Sequence, residues 1–253
     1  MNNLIVSNTA LGLTGVFVGL ALWIGYREKL GIAKDLIIAT FRCVIQLFVV
    51  GYVLKYVFRV DSWLLTLLLI LVIIFNGAYN AKGRSNDLKN SFPISLLAIA
   101  TSTLVILLVL VFAGAVKFIP SQIIPLTGMI VSNSMVAMGL CFRTMNSMFT
   151  DRRSQILEML ALGASPMTAS KGIIRDAIKT GLQPTIDTAK TVGLVALPGM
   201  MSGMIFAGAD PVLAIKYQIM VTFMLLGITS ISSMIGCYLG YQSFYNQRQQ
   251  LIK

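Results

Sequence analysis

Few side chains in this sequence are suited to chemistry, and their positions restrict what they can do. Histidine is absent, which removes the commonest transition-metal ligand and the usual general base. The nine acidic residues are Glu28, Asp35, Asp61, Asp87, Asp151, Glu158, Asp176, Asp187 and Asp210, and all fall in loops or at the ends of apolar runs. A proton- or sodium-driven carrier usually keeps a carboxylate inside the membrane, so this distribution argues against one. It also leaves a membrane enzyme without an acid–base constellation. Cys43, Cys141 and Cys237 are far apart and form no CxxC. They read as small buried thiols, not as a disulfide or a zinc site.

Some polar groups do enter apolar runs. Arg42 and Gln46 stand one helical turn apart, Asn76 and Asn80 repeat that spacing, and Asn133 follows further on. Such groups either hydrogen-bond between helices, with Arg42 snorkelling toward an interface, or line a pathway. Methionine is abundant, with fourteen residues. Met129, Met135, Met138, Met200, Met201, Met204, Met220 and Met224 all fall in the later apolar runs. Thioethers favour soft ions such as Cu(I), and they also fill irregular gaps between helices that move.

The elements that must position these groups are membrane helices. The composition is 57% hydrophobic and 11% charged, more apolar surface than a soluble domain of this length can bury. Long unbroken apolar runs, without the ten-residue alternation of a barrel, predict an all-α polytopic membrane protein. Seven spans are expected, at roughly residues 9–26, 35–58, 62–82, 93–116, 123–144, 188–209 and 211–241. Met1-Asn2-Asn3-Leu4 lacks a basic n-region, so the first run is expected to stay as a span.

The net charge of +11 lies in alternate loops, which is the positive-inside bias of a cell-membrane protein and not the mark of nucleic-acid binding. Arg27, Lys29, Lys34, Lys82, Arg84, Lys89, the basic residues from Arg143 to Lys190, Arg248 and Lys253 fall on one side. Lys55, Arg59, Lys117 and Lys216 fall on the other. The expected orientation has the N-terminus outside and the C-terminus in the cytoplasm. Pro125 in span five and Pro198-Gly199 in span six are expected to kink or break their helices, with Pro198 and Gly199 as a hinge. Gly199, Gly203 and Ala207 make a small-residue face suited to close helix packing.

The whole chain reads as a single transmembrane domain, 1–253, with a cytoplasmic loop at about 145–187 that has its own structure. A helix over 152–162 is expected to turn Ile156, Leu157, Leu160 and Ala161 to one face and to end at Gly163. Ser165 then caps a second helix whose first residue is Pro166. Lys171, Arg175 and Lys179 form a basic stripe on it, beside an apolar line of Ile174, Ile178 and Leu182. The two helices make a knob that could dock on a protein or rest on anionic lipid.

Glu158-Met159-Leu160-Ala161-Leu162-Gly163-Ala164-Ser165 resembles the coupling loop of ABC transporter permeases, although Glu158 stands one position closer to the glycine than in the importer pattern. Arg42-Cys43-Val44-Ile45-Gln46-Leu47, the run from Ile124 to Met135, the run from Gly193 to Gly203 and Ala214-Ile215-Lys216-Tyr217-Gln218-Ile219 resemble, in order, the FetB-like iron-export permeases. That family includes the aluminium-tolerance permeases of plants. The resemblance covers nearly the whole chain and is most specific at Pro198-Gly199-Met200-Met201.

The resemblance implies a permease homodimer on a separate ABC ATP-binding subunit. It also implies coupling through Arg152, Arg153, Glu158, Leu160, Gly163, Ala164 and Ser165. The chain has no Gly-x-x-x-x-Gly-Lys-Ser/Thr loop to cradle phosphates. ATP and Mg are therefore expected on the partner, with no cofactor on this chain. Residues chosen for the substrate pathway are Arg42, Gln46, Asn76, Asn80, Asn133, Met200, Met201, Met204 and Gln218, the three methionines being candidate metal ligands. The implied cargo is iron or another metal ion leaving the cytoplasm. A nucleotide sugar or other anion, drawn by Arg42, is the alternative cargo, and an ATP-independent carrier or channel the alternative mechanism.

Overall fold

The structure is a computed structural model that describes residues 7–60, 62–85, 88 and 90–252. Asp61, Asp87, Lys89 and Lys253, counted among the charges above, and the Met1-Asn2-Asn3-Leu4 start lie outside the described residues. The chain divides into two compact units, Met1–Asp61 and Ser62–Lys253.

The first unit is a helical hairpin of α1 (Asn8–Arg27) and α2 (Ala33–Val60). Ser7 caps α1 by accepting a hydrogen bond from the Ala10 amide. Positive φ at Lys29 (52°) and Gly31 (71°) reverses the chain between the helices. The side chains of both helices face outward almost throughout, Leu13, Phe17 and Phe41 among them. Lipid rather than water is the solvent that tolerates such a surface.

The second unit holds α3 (Trp63–Gly83), α4 (Ser91–Phe112), α5 (Pro120–Asp151), α6 (Arg153–Ala161), α7 (Pro166–Thr191), α8 (Gly199–Phe206) and α9 (Pro211–Gly240), closed by a 3-10 turn at Tyr241–Phe244. The central helix is α5, which packs against α3, α4, α7 and α9. Ser95, Ser102, Thr103, Thr127, Ser134, Thr229, Ser232 and Ser233 are buried, while Leu68, Leu71, Leu104 and Phe223 face outward. Small hydroxyl residues let helices approach closely where no hydrophobic force drives them together. Gly77 shows how close that is: a Cβ there would collide with Val131 of α5.

Among the described residues, α1–α5 and α9 are long and apolar enough to cross a membrane, so the chain is a polytopic helical membrane protein. The expected sixth span, 188–209, is not one helix. α7 ends at Thr191, an irregular stretch follows over 192–198, and α8 is eight residues long. The backbone explains the break. Val192 is extended, Gly193 has φ +87°, and Leu197 precedes a proline, which disfavours helix. Pro198 is consequently the N-cap of α8 (φ −60°, ψ 147°), and Pro198-Gly199 opens a helix instead of hinging one at its middle. Pro125 does not break its helix, since α5 is continuous from Pro120 to Asp151. The residue lies only one turn in, where one missing hydrogen bond interrupts little.

The loop at 145–187 also differs from the expected pair of short helices. α5 continues to Asp151, and α7 is 26 residues long, or about 39 Å at 1.5 Å per residue. Its apolar face, with Ile173, Ile174 and Ala177 buried, is set against α5 and α9, and its basic stripe of Lys171, Arg175 and Lys179 is exposed. In α6, Ile156 is buried and Leu160 half-buried, whereas Leu157 and Ala161 are exposed. A nine-residue helix has room for one i, i+4 pair on its inner side, not for four residues.

Candidate functional site

Two features of the second unit are built for more than packing, and α7 connects them. The first is the knob at its start. The α6 helix ends in a Schellman turn: the Gly163 amide donates to the Leu160 carbonyl at 3.0 Å and the Ala164 amide to Met159 at 2.9 Å. Gly163 has φ +88°, a conformation in which a β-carbon is strained. Ser165 Oγ accepts from the Thr168 amide at 3.3 Å and pairs with Thr168 Oγ1 at 2.9 Å, and Pro166 is the first helical residue. Glu158 and Leu162 are exposed, and Arg152 reaches Asp176 of α7 at 3.3 Å.

Beneath the knob lies an aromatic seat. Phe149 stacks on Phe244 with centroids 3.9 Å apart. Tyr245 pairs with the Ser170 hydroxyl at 2.7 Å and donates to the Pro166 carbonyl at 3.4 Å. Burial pushes the Tyr245 phenol above its ordinary pKa, against an opposing effect of the Ser170 hydrogen bond, so it stays a neutral donor. The C-terminal segment is thereby fastened to the first turns of α7.

The second feature is a cavity of about 290 Å³ at the other end of α7. Met129, Asn133 and Ala137 come to it from α5, and Gly181, Pro184, Thr185 and Thr188 from α7. Val192, Pro198, Gly199 and Met200 come from the break and the start of α8, and Gln218, Thr222 and Leu225 from α9. Its hydrogen-bond donors are mostly spent on helix carbonyls: Asn133 on Met129 at 2.8 Å, Thr188 on Pro184 at 2.9 Å and Thr222 on Gln218 at 2.9 Å. Gln218 is only 9% exposed, and its Oε1 has no hydrogen-bond partner. No charged side chain lines the cavity.

The residues chosen from sequence divide accordingly. Asn133, Met200, Gln218, Pro198 and Gly199 come together at the cavity. Met201 and Met204 are half-buried on α8 outside its lining. Asn76 and Asn80 lie on the exposed face of α3, where the Asn80 amide donates to Asn76 Oδ1 at 2.6 Å. Arg42 and Gln46 are exposed on α2 of the first unit. At Gly199 and Gly203 a Cβ would meet nothing within 4 Å, so no helix among the described residues packs on that small-residue face.

Sequence reasoning missed the share of α7. Gly181, Thr185, Thr188 and Val192 recur at helical spacing on one face, a signal hidden by the adjoining basic stripe and by Pro184. Pro184 lies inside the helix, where its missing N–H leaves the carbonyl four residues back without its usual partner.

The comparisons with known proteins agree with one another. Residues 8–245 match the model of the uncharacterised protein family UPF0014. The chain is 51% identical over 252 residues to an Escherichia coli K12 protein named as the probable iron export permease FetB, covering 100% of this chain and 97% of that one. It is 36% identical over 242 residues to the UPF0014 membrane protein YjkA of Bacillus subtilis, covering 96% and 97%. It is 32% identical over 238 residues to the Arabidopsis thaliana protein named ALUMINUM SENSITIVE 3, covering 93% and 86%. No solved structure matches it.

Proposed function

The chain belongs to the UPF0014 family of multi-pass cell-membrane proteins, and from that premise we propose that it is the permease subunit of an ATP-driven exporter. The observation that carries this reading is the continuity of α7. One end is the exposed, firmly capped knob of Glu158 to Ser165, and the other forms a wall of the half-open cavity. A separate ABC ATP-binding subunit docks on the knob and holds ATP and Mg. Its closure on ATP displaces the knob, α7 transmits the displacement as a rod, and the break at 192–198 yields. The cavity then opens to the other side.

In this reading the last turn of α7, the break and α8 together form one interrupted crossing. With α1–α5 and α9 that gives an odd number, which suits the charge bias that puts the N-terminus outside and the C-terminus in the cytoplasm. Interrupted helices are tolerated at membrane depth where they border a cavity. Two copies of the permease on two ATP-binding subunits complete the transporter. The cargo reading, iron leaving the cytoplasm, follows the name of the Escherichia coli relative.

The test is co-purification with an ABC ATP-binding subunit from the same organism, followed by iron efflux from reconstituted liposomes. ATP-dependent efflux that disappears with Gly163→Val is expected. Efflux without any ATP-binding subunit would establish an autonomous carrier instead.

A further inference from the structure

Where α5, α7 and α9 meet, three sulfur atoms gather outside the proposed transport cycle. Cys141 of α5 and Cys237 of α9 are fully buried and free, and their thiols face each other. The Cys141 thiol donates to the Ala177 carbonyl of α7 at 3.4 Å, and its sulfur accepts a hydrogen bond from Cys237. Met138, one turn before Cys141, is equally buried. Its thioether occupies the place that a Cβ would take at Gly236, the residue before Cys237. Cys141 Sγ likewise occupies the place of a Cβ at Gly181 of α7. Ala137 and Gly181 belong to the cavity wall, so the sulfurs lie directly behind it.

We propose that Cys141, Cys237 and Met138 form a binding site for a soft monovalent cation, Cu(I) or Ag(I), at the seam of α5 and α9. Thiolate and thioether are soft donors, and they select such ions over hard cations. Zinc in a closed protein site takes four ligands. Among the described residues no third His, Cys, Asp or Glu joins the pair, which leaves too few donors for it. Binding is an exchange. The ion replaces the Cys237 proton that lies between the two sulfurs, and that proton leaves to water. One positive charge enters as one departs, so the apolar surroundings gain no unpaired charge. Ala177 and Gly181 cover Cys141, so the ion enters as α7 lifts from α5.

The test uses the purified full chain in detergent, carrying Cys43→Ser to remove the exposed thiol of α2. Cu(I), Ag(I), Zn(II) and Fe(II) are offered separately, without oxygen, against a competing chelator. A single Cu(I) or Ag(I) per chain should be retained, and Zn(II) and Fe(II) should be held about a hundredfold more weakly. Cys141→Ala and Cys237→Ala should each weaken Cu(I) retention about a hundredfold, and Met138→Leu about tenfold. X-ray absorption of the copper-loaded chain reads the donors without any substitution at the site, and a shell of sulfur alone is expected. Nitrogen or oxygen donors in that shell would overturn the proposal. So would Cu(I) retained undiminished after both buried thiols are replaced, which would place it on the methionines of the cavity. Failure to retain either Cu(I) or Ag(I) would overturn it as well. No ATP-binding subunit is present in these measurements, so their outcome is independent of the efflux assay, and either can fail alone.

Discussion

At its start α7 is fixed three times over: by Ser165 at the cap, by Pro166 at the first helical position and by Tyr245 reaching back to the Pro166 carbonyl. At its finish it is loosened twice, by Pro184 within the helix and by the irregular 192–198 that follows. Surroundings differ in the same sense. The start rests on stacked Phe149 and Phe244, while the finish borders a cavity and a stretch with Leu194 and Val195 exposed. A rod with a rigid joint at one end and a soft one at the other expresses displacement at the soft end. Local stability is distributed unevenly in proteins, and moving elements are drawn from its weak regions.

The contrast can be broken most severely at the point between the two ends. Gly181 lets α7 lie directly on α5 and α9; a Cβ there would collide with Cys141 Sγ and stand 3.1 Å from the Ala137 carbonyl. Gly181→Leu should cost about 3 kcal/mol or more and abolish efflux, read as thermal unfolding in detergent alongside transport.

A smaller effect is expected at the rigid joint. No atom lies within 4 Å of a Cβ at Gly163, but its φ is +88°, so Gly163→Val introduces backbone strain alone. A loss of roughly 2 kcal/mol is expected, with ATPase coupling lost and ligand retention by the cavity kept. Loss of both together would show that the two ends are not separable.

At the soft joint the sign reverses. Pro184→Ala restores a helix hydrogen bond and should raise stability by about 1 kcal/mol, yet slow ATP-driven efflux several-fold. Faster efflux from this stiffened variant would contradict the assignment of softness to this end. The least effect belongs to the exposed Arg152–Asp176 pair. Arg152→Ala should change stability by less than about 0.5 kcal/mol, a shift within about a degree or two in a melting curve.

Residues that act through their immediate neighbours were legible before any coordinates. Gly163, Ser165 and Pro166 carry their own conformational preferences, and the turn they predict is the one that forms. Six of the spans were likewise readable from unbroken apolar length. The break at 192–198 was not, because an apolar run scores the same whether its backbone is helical or irregular. At the cavity, Asn133, Met200 and Gln218 could be suspected as polar or soft groups in apolar surroundings. The wall from α7 could not, since its threonines and small residues follow a stripe of lysine and arginine that reads as a loop. Asn76 and Asn80 show the converse ambiguity. A spacing of four suits a pathway, and it suits two amides that bond each other on an outer face equally well.

Hydrogen exchange at residues 192–200 tests the central claim most directly. It is followed in the permease bound to its ATP-binding subunit, before and after addition of a non-hydrolysable ATP analogue. The account predicts that exchange at 192–200 changes on nucleotide binding, that residues 166–178 stay protected throughout, and that Gly163→Val removes the change. Exchange at 192–200 that ignores nucleotide while the knob becomes protected would contradict it, leaving α7 a docking post and not a transmission rod.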